Sequence, residues 1–313
     1  CVTSAAINDN ALYPLTRQWT GAISNRQRLN RARLEELVEE LPSLLFGSRR
    51  QAAVTRLAAM RVIQVEIPWL GESHGWAARV FPWEDALSIV TKPLRPAHSI
   101  TVVRRLLLAG KSKAPPGGQP TRMLVVNSAP GVVGEMFSLA EESVRMRAML
   151  GTAESSTLET PTANELKKAI ENLMPEVVHL AGVDLHQAGE LGVSLPEDRS
   201  NMDGYLLAGA GGRRYHGALS KELAELLTAA SRKPWLVTMN LYFSAARSAA
   251  LCVQSGAHFA IGFHDTAQDN RAEEFFARFY SEWRGGGGGL PLDAFQKAVE
   301  VFRNTKRREA GVV

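Results

Sequence analysis

His264 and Asp265 stand side by side in this sequence, and such a pair at a strand end could bind a metal or pass a proton. No third ligand accompanies them, so no metal is expected. Cys252 lies between Leu251 and Val253 and reads as a small buried apolar residue of a helix rather than a nucleophile. His179 falls inside an apolar strand, where a satisfied core histidine is the ordinary outcome, and His186 reads as a surface-loop residue. Gly209-Ala210-Gly211-Gly212-Arg213-Arg214 has the composition of a phosphate loop. Such a loop must open directly into a helix so that free N–H groups face the anion. Here Arg213 to His216 reads as a returning strand, so the glycines form a hairpin turn and no nucleotide or other cofactor is expected.

The 313 residues, 45% hydrophobic and 22% charged, are those of an ordinary globular chain long enough for a large core. No apolar run approaches the roughly 18 residues of a spanning helix, so no membrane partner is expected. The formal net charge is +4, with arginines grouped at Arg26, Arg28, Arg31 and Arg33 and at Arg49 and Arg50. A basic face for nucleic acid stays open as an alternative. Arg31 to Glu40, however, mixes both signs at helical spacing, as a solvated helix face does. Cys1 and Cys252 give no disulfide framework, and the expectation is a reduced, cytoplasmic protein; a leading Cys1 in place of Met suggests a trimmed chain.

The elements that must position these residues follow from periodicity. Residues 1–57 read as a helical extension, with Leu34, Leu37, Val38 and Leu41 forming one stripe before Pro42 and Gly47 break the helix. Val62 to Ile67 alternates as a strand, and a second short strand is expected to lead into Phe81 to Leu87. Lys111 to Pro120 is a surface loop, and Arg122 to Ser128 a buried strand. One long helix is expected from Gly134 to Leu150, with Met136, Leu139, Ser143 and Met146 near one face, then a loop over Gly151 to Glu159. Thr162 to Glu165 is a capping box. Strands follow at Val177 to Ala181, Leu236 to Asn240 and Ala257 to Gly262, with helices between and after them. The alternation predicts an α/β fold with a mostly parallel central sheet flanked by helices.

Several blocks, in order, resemble the CHAT domains, the bacterial caspase-like peptidases. Phe81-Pro82-Trp83-Glu84 is similar to an early element of that family, and Met123 to Pro130 to its next core strand. Glu141 or Glu142 stands where a helix glutamate belongs. Val178-His179-Leu180-Ala181-Gly182 is similar to the strand that leads to the catalytic His, and Leu236 to Ser244 to the strand that carries the nucleophilic Cys. Tyr205 to Ser220 and Ile261 to Tyr280, including Asp269, complete a resemblance that covers residues 60 to 283. It implies a caspase-like fold. It also places Val183 at the His position and Tyr242 at the Cys position. Neither can supply the thiolate or imidazole that this chemistry needs.

The resemblance therefore implies a pseudo-peptidase, with Val183 and Tyr242 facing each other at the ends of neighbouring strands. His179, Asp184, Asn240, His264, Asp265 and Asp269 are the candidates for its former cleft. The expected domains are a helical extension over 1–57, a CHAT-like domain over 58–284, and a glycine linker with a closing helix over 285–313. The function implied is that of a scaffold or regulator in bacterial defence or stress signalling. Its partner would be an active caspase-like subunit or a larger effector complex, contacted through Leu34, Leu37, Val38 and Leu41. An active peptidase with another nucleophile, or one completed by another chain, is the alternative.

Overall fold

Short alternating segments in the first third of the chain pair with each other, and the long apolar segments of the remainder build a separate sheet. The computed structural model describes residues 9–24, 36, 39, 41–72, 75–94, 100–109, 117–137, 139–196, 199, 202–210, 214–264, 269–287 and 289–304. The chain divides into two compact units, Cys1–Ser112 and Lys113–Val313. The boundary falls within the proline- and glycine-rich loop and does not coincide with the divisions expected near residues 57 and 284. The physical reason lies in strand pairing: among the described residues, the strands between residues 62 and 107 bond to each other in a sheet of their own.

The first unit contains α1 (Asp9–Ser24), α2 (Leu41–Phe46), α3 (Arg50–Ala59), β1 (Val62–Pro68), α4 (Trp76–Val80), α5 (Trp83–Thr91) and β2 (Thr101–Leu107). β1 and β2 pair in parallel from Val62↔Thr101 to Pro68↔Leu107. Trp76–Val80, where a short strand is expected to lead into Phe81, is the helix α4 instead, and α5 follows from Trp83. Burial of Phe81, Trp83, Ala86 and Leu87 against Val65 and Ile67 sets its structure. Pro42 sits in the first turn of α2, where its missing N–H has no intrahelical partner to lose, so the helix includes it. Leu41 is fully buried in this core and is not an interface residue; Leu34, Leu37 and Val38 lie outside the described residues.

Glu84 explains its place in the Phe-Pro-Trp-Glu block. Its carboxylate takes two bonds from Arg104, Nη1 to Oε1 at 2.8 Å and Nη2 to Oε2 at 3.2 Å. The same guanidinium donates to the carbonyls of Arg79 and Phe81 at 2.9 Å each, joining β2 to both short helices.

The second unit contains β3 (Arg122–Ser128), α6 (Leu139–Leu150), β4 (Glu154–Glu159), α7 (Ala163–Leu173), β5 (Val177–Gly182), α8 (Leu185–Glu190), β6 (Gly204–Ala208), β7 (Tyr215–Leu219), α9 (Ser220–Leu227), β8 (Leu236–Asn240), α10 (Ala250–Gln254), β9 (Phe259–Ile261), α11 (Asp269–Gly285) and α12 (Pro291–Asn304). Five strands form one sheet in the order β4-β3-β5-β8-β9, every neighbour parallel. The result is an α/β architecture with a mostly parallel central sheet flanked by helices, consistent with a caspase-like α/β fold.

Alternating residues explain the two covered faces. Met123, Val125, Val177 and Leu236 pack with α6, α11 and α12, in a cluster rich in aromatic rings: Phe275, Phe276, Phe279, Tyr280 and Trp283. α7 and α9 pack together, with α7 also against β3. The capping box of α7 forms as expected: Glu165 N donates to Thr162 Oγ1 at 3.3 Å and Thr162 N to Glu165 Oε2 at 2.8 Å. β6 and β7 form the expected antiparallel hairpin, Ala208↔Tyr215 nearest the turn. Among the described residues no helix is long and apolar enough to cross a membrane.

Two local expectations are corrected. Gly131–Met136 is a 3-10 turn separate from α6, and Met136 is exposed rather than on the buried face. Glu154–Glu159 is an edge strand, not a loop; polar residues suffice because it pairs only with β3 and faces water. The helix after β8 begins as a π-helix over Ala245–Ala249.

Glu84→Ala should destabilise the first unit by about 3–5 kcal/mol, because it strands a guanidinium that is largely buried. Urea unfolding followed by tryptophan fluorescence measures this; a loss below about 1 kcal/mol would mean the pair behaves like a solvated surface bridge.

Candidate functional site

In an open parallel sheet, sites collect at the C-terminal strand ends, and particularly where the strand order reverses. β5 and β8 are neighbours, with Ala181 opposite Asn240. Val183 and Tyr242 thus both lie just past the ends of adjacent parallel strands, as the residue-by-residue reading required.

Gly182 ends β5 at φ 144, and a side chain there would run into the carbonyl of Ser128 on β3. That close approach lets Val183 N donate to Ser128 O at 3.2 Å, and Leu206 N donates to Val183 O at 2.9 Å. Val183 is fully buried in an apolar cluster with Ala129, Val133, Leu185, Ala188 and Leu206. The Val183 side chain has no polar atom for the Tyr242 hydroxyl to bond. The Tyr242 hydroxyl donates instead to Asp269 Oδ1 at 3.3 Å, in the first turn of α11. Burial first, then the charges of Asp269 and Asp184, push this phenol far above its ordinary pKa. The next residue, Phe243, has φ 53, a left-handed conformation rare for a bulky side chain. Ser244 braces the turn: its Oγ donates to Leu241 O at 2.8 Å and accepts from Phe263 N at 3.1 Å.

Asp184 caps α8, its Oδ1 accepting from His186 N at 2.8 Å and Gln187 N at 2.9 Å. Only 2% of Asp184 is exposed, and among the described residues its Oδ2 has no hydrogen-bond partner. Burial outweighs the two capping bonds and raises its pKa. Asp269 is raised as well, by burial and then by the charge of Glu142. Beyond the cap, His186 Nε2 lies 3.1 Å from Asp203 Oδ1, and its ring meets Phe243 edge-on with centroids 5.8 Å apart.

Beneath this mouth lies a buried polar network. Glu142 Oε1 accepts from Asn240 Nδ2 at 2.8 Å and lies 3.1 Å from His179 Nε2. His179 Nδ1 lies 2.8 Å from Thr238 Oγ1 and 3.2 Å from the Tyr280 hydroxyl, which are themselves 2.6 Å apart. A carboxylate can only accept, so Nε2 carries a hydrogen. The Tyr205 hydroxyl donates to Ala181 O at 2.7 Å, fastening the hairpin to β5.

The structure thus brings together His179, Asp184, Asn240, Asp269 and Tyr242 and buries Val183 nearby. His264 is buried after β9, while Asp265 lies outside the described residues. Cys252 is fully buried, and burial drives its thiol pKa far up, which makes it a core residue without nucleophilic character. Among the described residues no group of three His, Cys, Asp or Glu side chains converges as a metal would require. His186 is not a loose loop residue. Its carboxylate partner, 17 residues downstream, has no signature in the sequence, because the fold alone joins them. Glu142, not Glu141, is the inward-facing glutamate of α6; Glu141 is exposed. No protein-family model matches the chain, and no curated protein matches it.

A carboxyl group whose folded pKa is raised contributes stability that is present at low pH and lost as pH climbs through the folded value. For Asp184 the window opens at the ordinary carboxylate value of 3.8 and extends upward. Asp184→Asn keeps the capping oxygen and removes the charge. Its stability relative to the unsubstituted chain should therefore improve steadily as pH rises from about 4 towards neutrality. Parallel urea titrations across that range test this, and a pH-independent difference would contradict it.

Proposed function

We propose that this chain is a catalytically silent CHAT-like domain of caspase fold, acting as a scaffold or regulator through contact with another protein. The observation that carries the reading is what occupies the two positions matched to the peptidase dyad. Val183 is sealed in an apolar cluster, and Tyr242 bonds to Asp269 with a phenol that resists ionisation. Cysteine peptidases need a thiolate and an imidazole that first activates it and then protonates the leaving amine. Valine and a neutral phenol supply neither, and Cys252 is too deeply buried to substitute. The block order that resembles CHAT domains and a parallel sheet in the order β4-β3-β5-β8-β9 support the same conclusion.

By that resemblance the setting is the bacterial cytoplasm, in defence or stress signalling. The partner is an active caspase-like subunit or a larger effector complex. The contact surface is not the Leu41 core; Leu34, Leu37 and Val38 remain its candidates in the first unit, and the arginines from Arg26 to Arg33 supply charge beside them.

The purified chain should show no turnover of fluorogenic caspase-type peptides and no saturable labelling by thiol-directed peptide probes. Peptide-directed labelling that disappears in Cys252→Ala would overturn the reading in favour of an active peptidase. Binding to RNA or DNA with a steep salt dependence would favour a nucleic-acid module instead.

A further inference from the structure

Five glycines, 285 to 289, separate the two C-terminal helices. Packing does not demand all of them. A side chain at Gly285 would meet nothing within 4 Å, and one at Gly289 would make only ordinary contact with Gly286 O at 3.9 Å. What the run supplies is backbone freedom, since a residue without Cβ has many more accessible conformations. The chain is fixed immediately before it: Gln119 Nε2 donates to Arg284 O at 3.1 Å, and Arg284 Nη1 to Ala148 O at 3.4 Å. Pro291 then opens α12 afresh, with Asp293 in the first turn, so this helix starts on its own signals.

α12 packs chiefly on α11, and the two helices contribute unequally. From α11 come Phe275, Phe279 and Trp283, four residues apart along one face and all buried. From α12 come Ala294, Ala298 and Val299, with Phe295 partly buried and edge-on to Phe275, their centroids 5.7 Å apart. Two alanines and a valine remove little apolar area from water on their own side. Trp283 Nε1 donates to Gly289 O at 2.8 Å. Lys297 Nζ lies 3.2 Å from Glu282 Oε2 at the surface, where an ion pair contributes little.

We propose that α12 is a removable cover. It opens as one piece about residues 285–289, and the aromatic face of α11 that it leaves is a docking surface for an amphipathic helix of a protein partner. The kind of occupant follows from the present one, because a face that accepts one helix by its apolar spacing accepts another by the same spacing. The partner class rests on the reading that this chain works through contact with protein. Tethering makes α12 a strong competitor despite its small residues, since a short linker holds it at about millimolar effective concentration.

Hydrogen exchange of the full chain tests the opening. The amides of α12 should lose protection together and exchange about a hundredfold faster than those of α11. Equal protection in the two helices would overturn the proposal. Docking is tested in trans with a fluorescein-labelled peptide of residues 290–304. Ala298→Asp in the chain should release α12 alone, with protection kept in α11 and α6. That variant should bind the peptide saturably, whereas a peptide that itself carries Ala298→Asp should not bind. The unsubstituted chain should bind the native peptide more weakly, by the factor that hydrogen exchange gives for closing, because only the open fraction is competent. Unfolding of the second unit by Ala298→Asp would make α12 integral core and end the proposal. So would a folded variant that ignores the peptide, or equal binding by the unsubstituted chain. Peptide cleavage by the unsubstituted chain would sink the silent-peptidase reading alone.

Discussion

Glu142 is a carboxylate almost wholly removed from water, and a buried charge must be bonded on every accessible side or it destabilises the fold by several kcal/mol. It takes His179 from β5 and Asn240 from β8 onto a single oxygen. One helix is thereby tied to the two central strands, and His179 passes the constraint on to Thr238 and Tyr280. With Asn240 and His179 held, the register of β5 against β8 cannot slip by one residue without breaking the network and turning each strand's buried residues to the opposite face. The positions of Val183 and Tyr242, just past the same strand ends, follow from that register.

Above this network the mouth mixes closure with strain. An apolar cluster seals the end of β5, and such packing stabilises the fold. In contrast, Asp184 keeps an unbonded oxygen while buried, and Phe243 holds a left-handed backbone conformation. Both features cost stability, and such costs persist where surrounding structure enforces them, commonly at functional sites. The opposite edge has such features too, since Met174 just before β5 is also left-handed, at φ 46. There, buried Glu176 is satisfied by Thr121 and by Arg232 Nη2 at 2.9 Å.

The two units differ in how they achieve burial. The second rests on a parallel sheet covered on both faces, so its strands are continuous apolar runs that periodicity reads well. The first has two short parallel strands covered by small helices, and it depends on the Arg104–Glu84 pair to join pieces too short to hold themselves. A five-residue helix such as α4 has no periodicity to detect.

What the sequence by itself determined was local and repetitive. The runs Met123 to Val126, Val177 to Leu180 and Leu236 to Met239 could only be buried strands, and Thr162 with Glu165 could only begin a helix, because the interactions involved lie within a few residues. Burial of Cys252 was legible for the same reason, from its apolar neighbours. The tertiary structure alone decided the rest. It made Glu154 to Glu159 a strand, since an edge strand needs one neighbour and no apolar pattern. It turned Trp76 to Val80 into helix, since long-range packing outweighs weak propensity over so short a span. It also paired His186 with Asp203 and Tyr242 with Asp269, contacts between residues 17 and 27 apart that no local spacing encodes.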